Sequence, residues 1–201
     1  RLNDIKSARV AFDKIRTLAP DFTPAIEALV QMDIREGKFD DALARAKAEI
    51  DKPNSGGLPW LLQANVHLER AAALARKTLG ENVRDAGFIT LPAAQDDIKA
   101  AEAALIKANE IDPALTPAYH LLARIWVAAN KHKEALEKLT SLTSRTNDLT
   151  AQIQIALIQD QAGDYKAAAE AYEKALEFAP NSIEALNNLA GIYSVQIPRL
   201  D

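Results

Sequence analysis

The chain has no cysteine among its 201 residues, which excludes disulfide bonds and thiolate metal sites and fits the cytoplasm or the periplasm equally well. Long apolar runs are missing too. Nothing approaches the ~20 consecutive residues of a membrane span, so direct insertion into a bilayer is not expected. The sequence shows no signal peptide and no lipidation motif. Basic clusters are also absent, and with a formal charge of -4 and a pI near 5.5 the chain offers nucleic acid no electrostatic footprint. Its three histidines are scattered. No H-E-x-x-H, glycine-rich phosphate loop, EF-hand loop or G-x-S-x-G occurs, and no nucleophile stands beside a partner base. The expectation is a protein that is not an enzyme, with no catalytic residue, metal or cofactor.

What is present is a content of 48% hydrophobic residues, much of it set at helical spacing. In Gln152-Ile153-Gln154-Ile155-Ala156-Leu157-Ile158-Gln159 apolar residues recur with the period of a helix. Gly163-Asp164-Tyr165 interrupts the pattern, which resumes at Ala168, Tyr172, Ala175 and Leu176 until Pro180. Asp148 to Pro180 therefore reads as two amphipathic helices around a tight turn. Glycine enters the left-handed region of the turn without a Cβ clash, and proline stops the second helix. A pair this short cannot bury its apolar stripe alone and needs similar neighbours.

The chain supplies them. In second helices a small residue is followed four and seven positions later by apolar ones and twelve later by proline: Ala8, Phe12, Ile15 and Pro20; Ala101, Leu105, Ala108 and Pro113; Ala168, Tyr172, Ala175 and Pro180. Ala135, Leu139 and Leu142 keep the apolar part, and Ala42, Ala46 and Pro53 follow it loosely. First helices repeat at offsets of zero, three, four and seven: Ile26, Leu29, Val30, Asp33; Tyr119, Leu122, Ala123, Trp126; Leu186, Leu189, Ala190, Tyr193. Trp60, Gln63, Ala64 and His67 make a more polar copy, with His67 in a packing role. The turn falls eleven after the first of these, at Gly37, Asn130 and Gly163.

In these residues the sequence resembles the tetratricopeptide repeat (TPR) family, whose period is ~34 residues. Leu149 to Ser182 and Ile183 to Tyr193 carry the resemblance best. It implies an all-α fold, a right-handed superhelical solenoid of antiparallel helix pairs in a single domain. Its repeats would be residues 1–22 (partial), 23–56, 57–115, 116–148, 149–182 and 183–201 (partial). With partial repeats at both ends the chain reads as a fragment of a longer array, and its terminal helices should expose apolar faces for contact with other molecules.

Local signals refine the picture. Thr23-Pro24 and Thr116-Pro117 open first helices, the threonine as cap and the proline in the first turn. Lys52 to Gly57 is a stop and a connector. In the third repeat the turn should fall at Ala71, yet Leu68 to Arg76 is strong helix sequence, so about 25 residues are inserted near 71–95. Within Gly80 to Pro92, Phe88, Ile89 and Leu91 either cover the extended helix or form a lip or dimer contact. Asn130 replaces glycine because it tolerates positive φ. Ile197-Pro198 falls where the last turn belongs.

The family resemblance assigns the concave face mainly to the first helices. Residues beside the packing stripe would then line a groove: Glu27, Gln31 and Arg35; Leu61, Asn65 and Glu69; His120 and Arg124; Ile153 and Asp160; Glu184 and Asn187. Both charge signs and amides suit an extended peptide or a partner helix. Some relatives hold a terminal carboxylate with a lysine and asparagine clamp; Leu61, Asn65, Pro117 and Leu121 stand in those places, so chaperone C-terminal peptides are not expected. The reading is a non-enzymatic protein–protein interaction scaffold, with Asn65, His120 and Arg124 as preferred contacts. A second reading, from similar repeats in bacterial envelope proteins, is a structural or assembly segment of a cell-envelope or exopolysaccharide-secretion protein, which would place it in the periplasm. A third is a regulatory domain of an enzyme.

Overall fold

In a computed structural model that describes residues 2–83 and 85–196, helices follow one another and no strand occurs among the described residues. The chain divides into two compact units, residues 1–118 and 119–201.

The first unit holds α1 (Leu2–Leu18), α2 (Thr23–Arg35), α3 (Phe39–Ile50), α4 (Leu58–Leu79), α5 (Asp85–Ile89) and α6 (Gln95–Ile111). Each of α1 to α4 packs on the helix that follows it in this series, and α4 packs on α6. Ile26 and Val30 of α2, Ala42 and Ala46 of α3, and Leu62 and Val66 of α4 form one buried cluster. The alanines let α3 approach closely. Gly37 makes the α2–α3 turn at φ 72°. Gly57 serves a different purpose: a Cβ there would sit 2.7 Å from the Ala108 carbonyl oxygen and from Asp112 Cβ, so only glycine lets the connector touch the end of α6.

The insertion behaves as its apolar residues suggest. α4 runs for 22 residues, straight through the buried Ala71. α5 packs on α4, with Phe88 and Ile89 buried and Leu91 half-buried. Gln95 ties the segment down by donating to the carbonyls of Ile89 (2.8 Å) and Leu91 (3.3 Å).

Three ionic clusters cross this unit. Arg9 and Arg45 both reach the buried Asp33, at 2.5 and 3.0 Å. Arg16 and Lys52 reach the buried Glu49, at 2.5 and 2.6 Å. Arg70 and His67 reach Asp97, at 2.6 and 2.7 Å. Burial alone would raise the Asp97 carboxyl, but hydrogen bonds from Arg70 and then His67 outweigh it and hold the group below its ordinary range. His67 is thus a satisfied packing histidine.

The second unit begins within α7 (Thr116–Ala128) and continues with α8 (His132–Thr143), α9 (Leu149–Gln161), α10 (Tyr165–Phe178) and α11 (Ile183–Gly191). Tyr119 and Ala123, Ala135 and Leu139, Ile155 and Ala156, Ala168 and Tyr172 belong to one buried cluster, with Trp126 half-buried against it. Asn130 and Gly163 take positive φ, 59° and 78°, at the two expected turns. Asp148, Asp164 and Ser182 cap α9, α10 and α11, accepting from the backbone N–H three residues on.

Two local expectations need correction. Thr23 and Thr116 lie inside the first turn, and their hydroxyls donate to the carbonyls of Asp21 and Ala114 at 3.4 Å; they do not cap free amides. The last first helix, whose register runs to Tyr193, ends sooner as an α-helix, because after Gly191 the backbone passes into a π turn over Ile192–Gln196. The expected turn at Ile197-Pro198 lies outside the described residues.

Candidate functional site

A groove of about 920 Å³ opens between α1 and α2. Ile5, Ala8 and Phe12 line it from α1, and Ala28, Gln31, Met32 and Arg35 from α2. The reason lies in the register. Ala8 has the same place in α1 as Ala42, Ala101, Ala135 and Ala168 have in α3, α6, α8 and α10, where all four are fully buried. Ala8 and Phe12 are only half-buried. α1 therefore presents the packing face of a second helix to an open groove.

Ionisable groups rim that apolar lining. Asp4, Lys6, Arg9, Arg35, Glu36 and Lys38 contribute to it, four basic and two acidic. Lys38 and then Arg9 hydrogen-bond Glu36, at 2.7 and 3.1 Å, and hold its carboxyl below the ordinary value. The Arg9 guanidinium spans Glu36 and Asp33, which fixes α1 against α2 beside the groove.

Of the residues expected on a concave face, the structure brings Gln31 and Arg35 together in this groove. Glu27, on the same helix, is half-buried and does not line it. Asn65 and Glu69 belong to α4, the first half-buried and the second exposed with Arg76 at 3.9 Å. Leu61 and Ile153, expected to point inward, are buried at 6% exposure each, so the core takes both side chains. In the second unit Arg124 and Asn187 are exposed and Asp160 is half-buried. His120 is half-buried and engaged within the fold. Its Nδ1 lies 2.8 Å from Gln154 Oε1 and its Nε2 3.2 Å from Asp148 Oδ2, which ties α7 to the start of α9.

Asp160 has a further effect. Burial, followed by the carboxylates of Asp160 and Glu184, pushes the Tyr172 phenol up to about 12, against the pull of the Asn188 side chain. That arrangement makes Tyr172 a neutral core residue with no acid–base role at neutral pH. Among the described residues no group of three or more His, Cys, Asp or Glu could hold a metal ion. No helix among them is long and apolar enough to cross a membrane.

Sequence reasoning missed the part played by α1. It placed Ala8 and Phe12 in the second-helix register but assigned the groove mainly to first helices. The signal was available in the second-helix register of Ala8, Phe12 and Ile15.

Comparison with known proteins follows the same lines. Residues 150–182 match the family model described as tetratricopeptide repeat. Among solved structures, a thermophilic TPR protein of Thermus thermophilus aligns at 17% identity over 96% of this chain and 93% of its own, with a TM-score of 0.62. MamA aligns at 18% identity over 87% of this chain and 88% of its own, with a TM-score of 0.57. A MamA fragment from Desulfovibrio magneticus RS-1 gives 18%, 86%, 84% and 0.52 for the same four quantities. No curated protein sequence matches the chain. The all-α, TPR-type solenoid read from the sequence is the fold.

Proposed function

We propose that this tetratricopeptide repeat chain is a protein-interaction module, not an enzyme, and that it takes an amphipathic helix of a protein partner in the groove between α1 and α2. The observation that carries the reading is the half-buried Ala8–Phe12 face of α1, at a register whose equivalents elsewhere in the chain are fully buried. Leaving Ile5, Phe12 and Met32 beside water costs apolar burial that a docked helix would regain, at about 25 cal/mol per Å². Gln31 and Arg35 are among the polar residues that line this groove, and a helix laid in a groove is a recurrent mode of peptide recognition.

A labelled amphipathic peptide with apolar residues at first-helix offsets of zero, three, four and seven should bind saturably by fluorescence polarisation. Phe12→Glu with Met32→Glu should abolish that binding while circular dichroism stays helical. Binding that persists in the double variant, or its absence in a natively helical parent, would overturn the reading. Arg35→Ala should weaken binding several-fold without lowering the melting temperature; an equal fall in both would make Arg35 structural.

A further inference from the structure

The two ends of the chain are complementary. α11 and its π turn carry the first-helix register Leu186, Leu189, Ala190 and Tyr193, and that face is only half covered: Leu189 packs on the core and Tyr193 donates to Glu173 of α10, yet Leu186 is 45% exposed, Tyr193 44% and the neighbouring Ile183 73%. The same register in α2 (Ile26, Leu29, Val30) is buried, as it is at Tyr119, Leu122 and Ala123 of α7. α11 is thus a first helix packed on the second helix before it, α10, with no second helix on its other side among the described residues, while α1 is a second helix facing an open groove. Each end offers the face that the other lacks. Charge agrees as well: four of the six ionisable groups around the groove are basic, whereas α11 contains Glu184 and no basic residue.

We propose that the helix taken in the α1–α2 groove is α11 of a second copy of this chain, so that copies associate head to tail. This rests on the groove accepting a helix, as argued above. Docking α11 on Ala8 and Phe12 repeats between copies the contact that α9 makes with α10 within one. The lengths match: α1 has 17 residues, or about 25 Å, and α11 with its π turn has 9 and 5, or about 20 Å. Because the two surfaces differ, the contact is heterologous and leaves a free head and a free tail after every addition, which yields rings or open chains.

Sedimentation velocity on the full chain should show a coefficient that rises between about 5 and about 200 µM, the range in which micromolar contacts fill. Leu186→Arg blocks the tail and Ala8→Arg blocks the head, and each variant alone should stay monomeric. Mixed in equal amounts they should form a dimer and nothing larger, because one retains a head and the other a tail. Ile5→Arg, at a site already 47% exposed, serves as a second head variant should Ala8→Arg misfold. Three results would sink the proposal: a parent chain that remains monomeric throughout, variants that assemble like the parent, or a mixture that stays monomeric. If the parent is monomeric but still binds the amphipathic peptide, the groove stands and only the identity of its occupant fails; if the peptide also fails to bind, both fail.

Discussion

Asp33 offers the sharpest test of how the first unit is held together. It occupies the register place where Trp126 and Tyr193 stand in their helices, and it is buried at 1% exposure. Its carboxylate accepts from Arg9 at 2.5 Å and from Arg45 at 3.0 Å, so one side chain of α2 ties α1 and α3 together. Asp33→Asn keeps the shape and removes the charge. The amide oxygen can still serve one guanidinium, but the NH2 group then faces the other, donor against donor. Hydrogen bonds to charged groups contribute about 1.5 to 3 kcal/mol each, so losing one and weakening the other should destabilise by about 3 kcal/mol. Breaking a buried pair typically costs about 3 to 5 kcal/mol. The low end applies, since the two arginine side chains are 23% and 22% exposed and Arg9 keeps Glu36 at 3.1 Å. Of the two tryptophans, Trp60 lies in the first unit, so urea unfolding followed by fluorescence in a Trp126→Phe background reads that unit alone. The combination Arg9→Met, Asp33→Leu and Arg45→Met should restore most of the loss, because apolar replacement of a whole buried ion cluster is often neutral or stabilising. A loss below about 0.5 kcal/mol for Asp33→Asn would place it with ordinary surface substitutions and refute the reasoning, as would a triple variant no better than the single one.

Other expectations follow from the same geometry. The Tyr172 phenol is raised to about 12 from 10.0, so the stability it contributes is complete below pH 10 and is lost as pH rises through that window. Urea midpoints at about pH 9 and about pH 11.5 should therefore differ more for the parent than for Tyr172→Phe, and equal differences would count against it. Asp97 is shifted the other way: its stabilisation is present above the ordinary value of 3.8 and lost as pH falls through the lower folded value. Asp97→Asn should flatten the acid side of the stability profile, measured as the urea midpoint at about pH 5 and about pH 3. Gly57→Ala should cost more than Gly163→Ala in thermal melts. The first pushes a Cβ to 2.7 Å from a backbone oxygen; the second meets open space and bears only the left-handed penalty at φ 78°, of about 1 to 2 kcal/mol.

Much of the fold was legible because each repeat states its own rule several times. The turns at Gly37, Asn130 and Gly163 follow from position alone, and all three take positive φ. α4 was readable as an uninterrupted helix because no breaker stands between Leu68 and Arg76. The threonine caps were misplaced because Thr-Pro marks the region of a helix start without saying which residue keeps extended dihedrals; Phe22 does so before α2, with ψ 92°. The ionic clusters were not legible, since Arg9, Asp33 and Arg45 lie on three helices and helical spacing says nothing about which charges meet. The α1–α2 groove was not legible as such: Gln31 and Arg35, read as concave-face residues, border it, while the part of α1 was overlooked.

Periodicity by itself determined the helices, their turns and the places that pack, because apolar residues at helical spacing can be hidden only by a neighbouring helix of the same kind. Which faces remain open was decided in three dimensions. Burial is a property of what lies alongside: Ala8 and Ala42 hold the same place in the repeat, but one borders a groove and the other is enclosed.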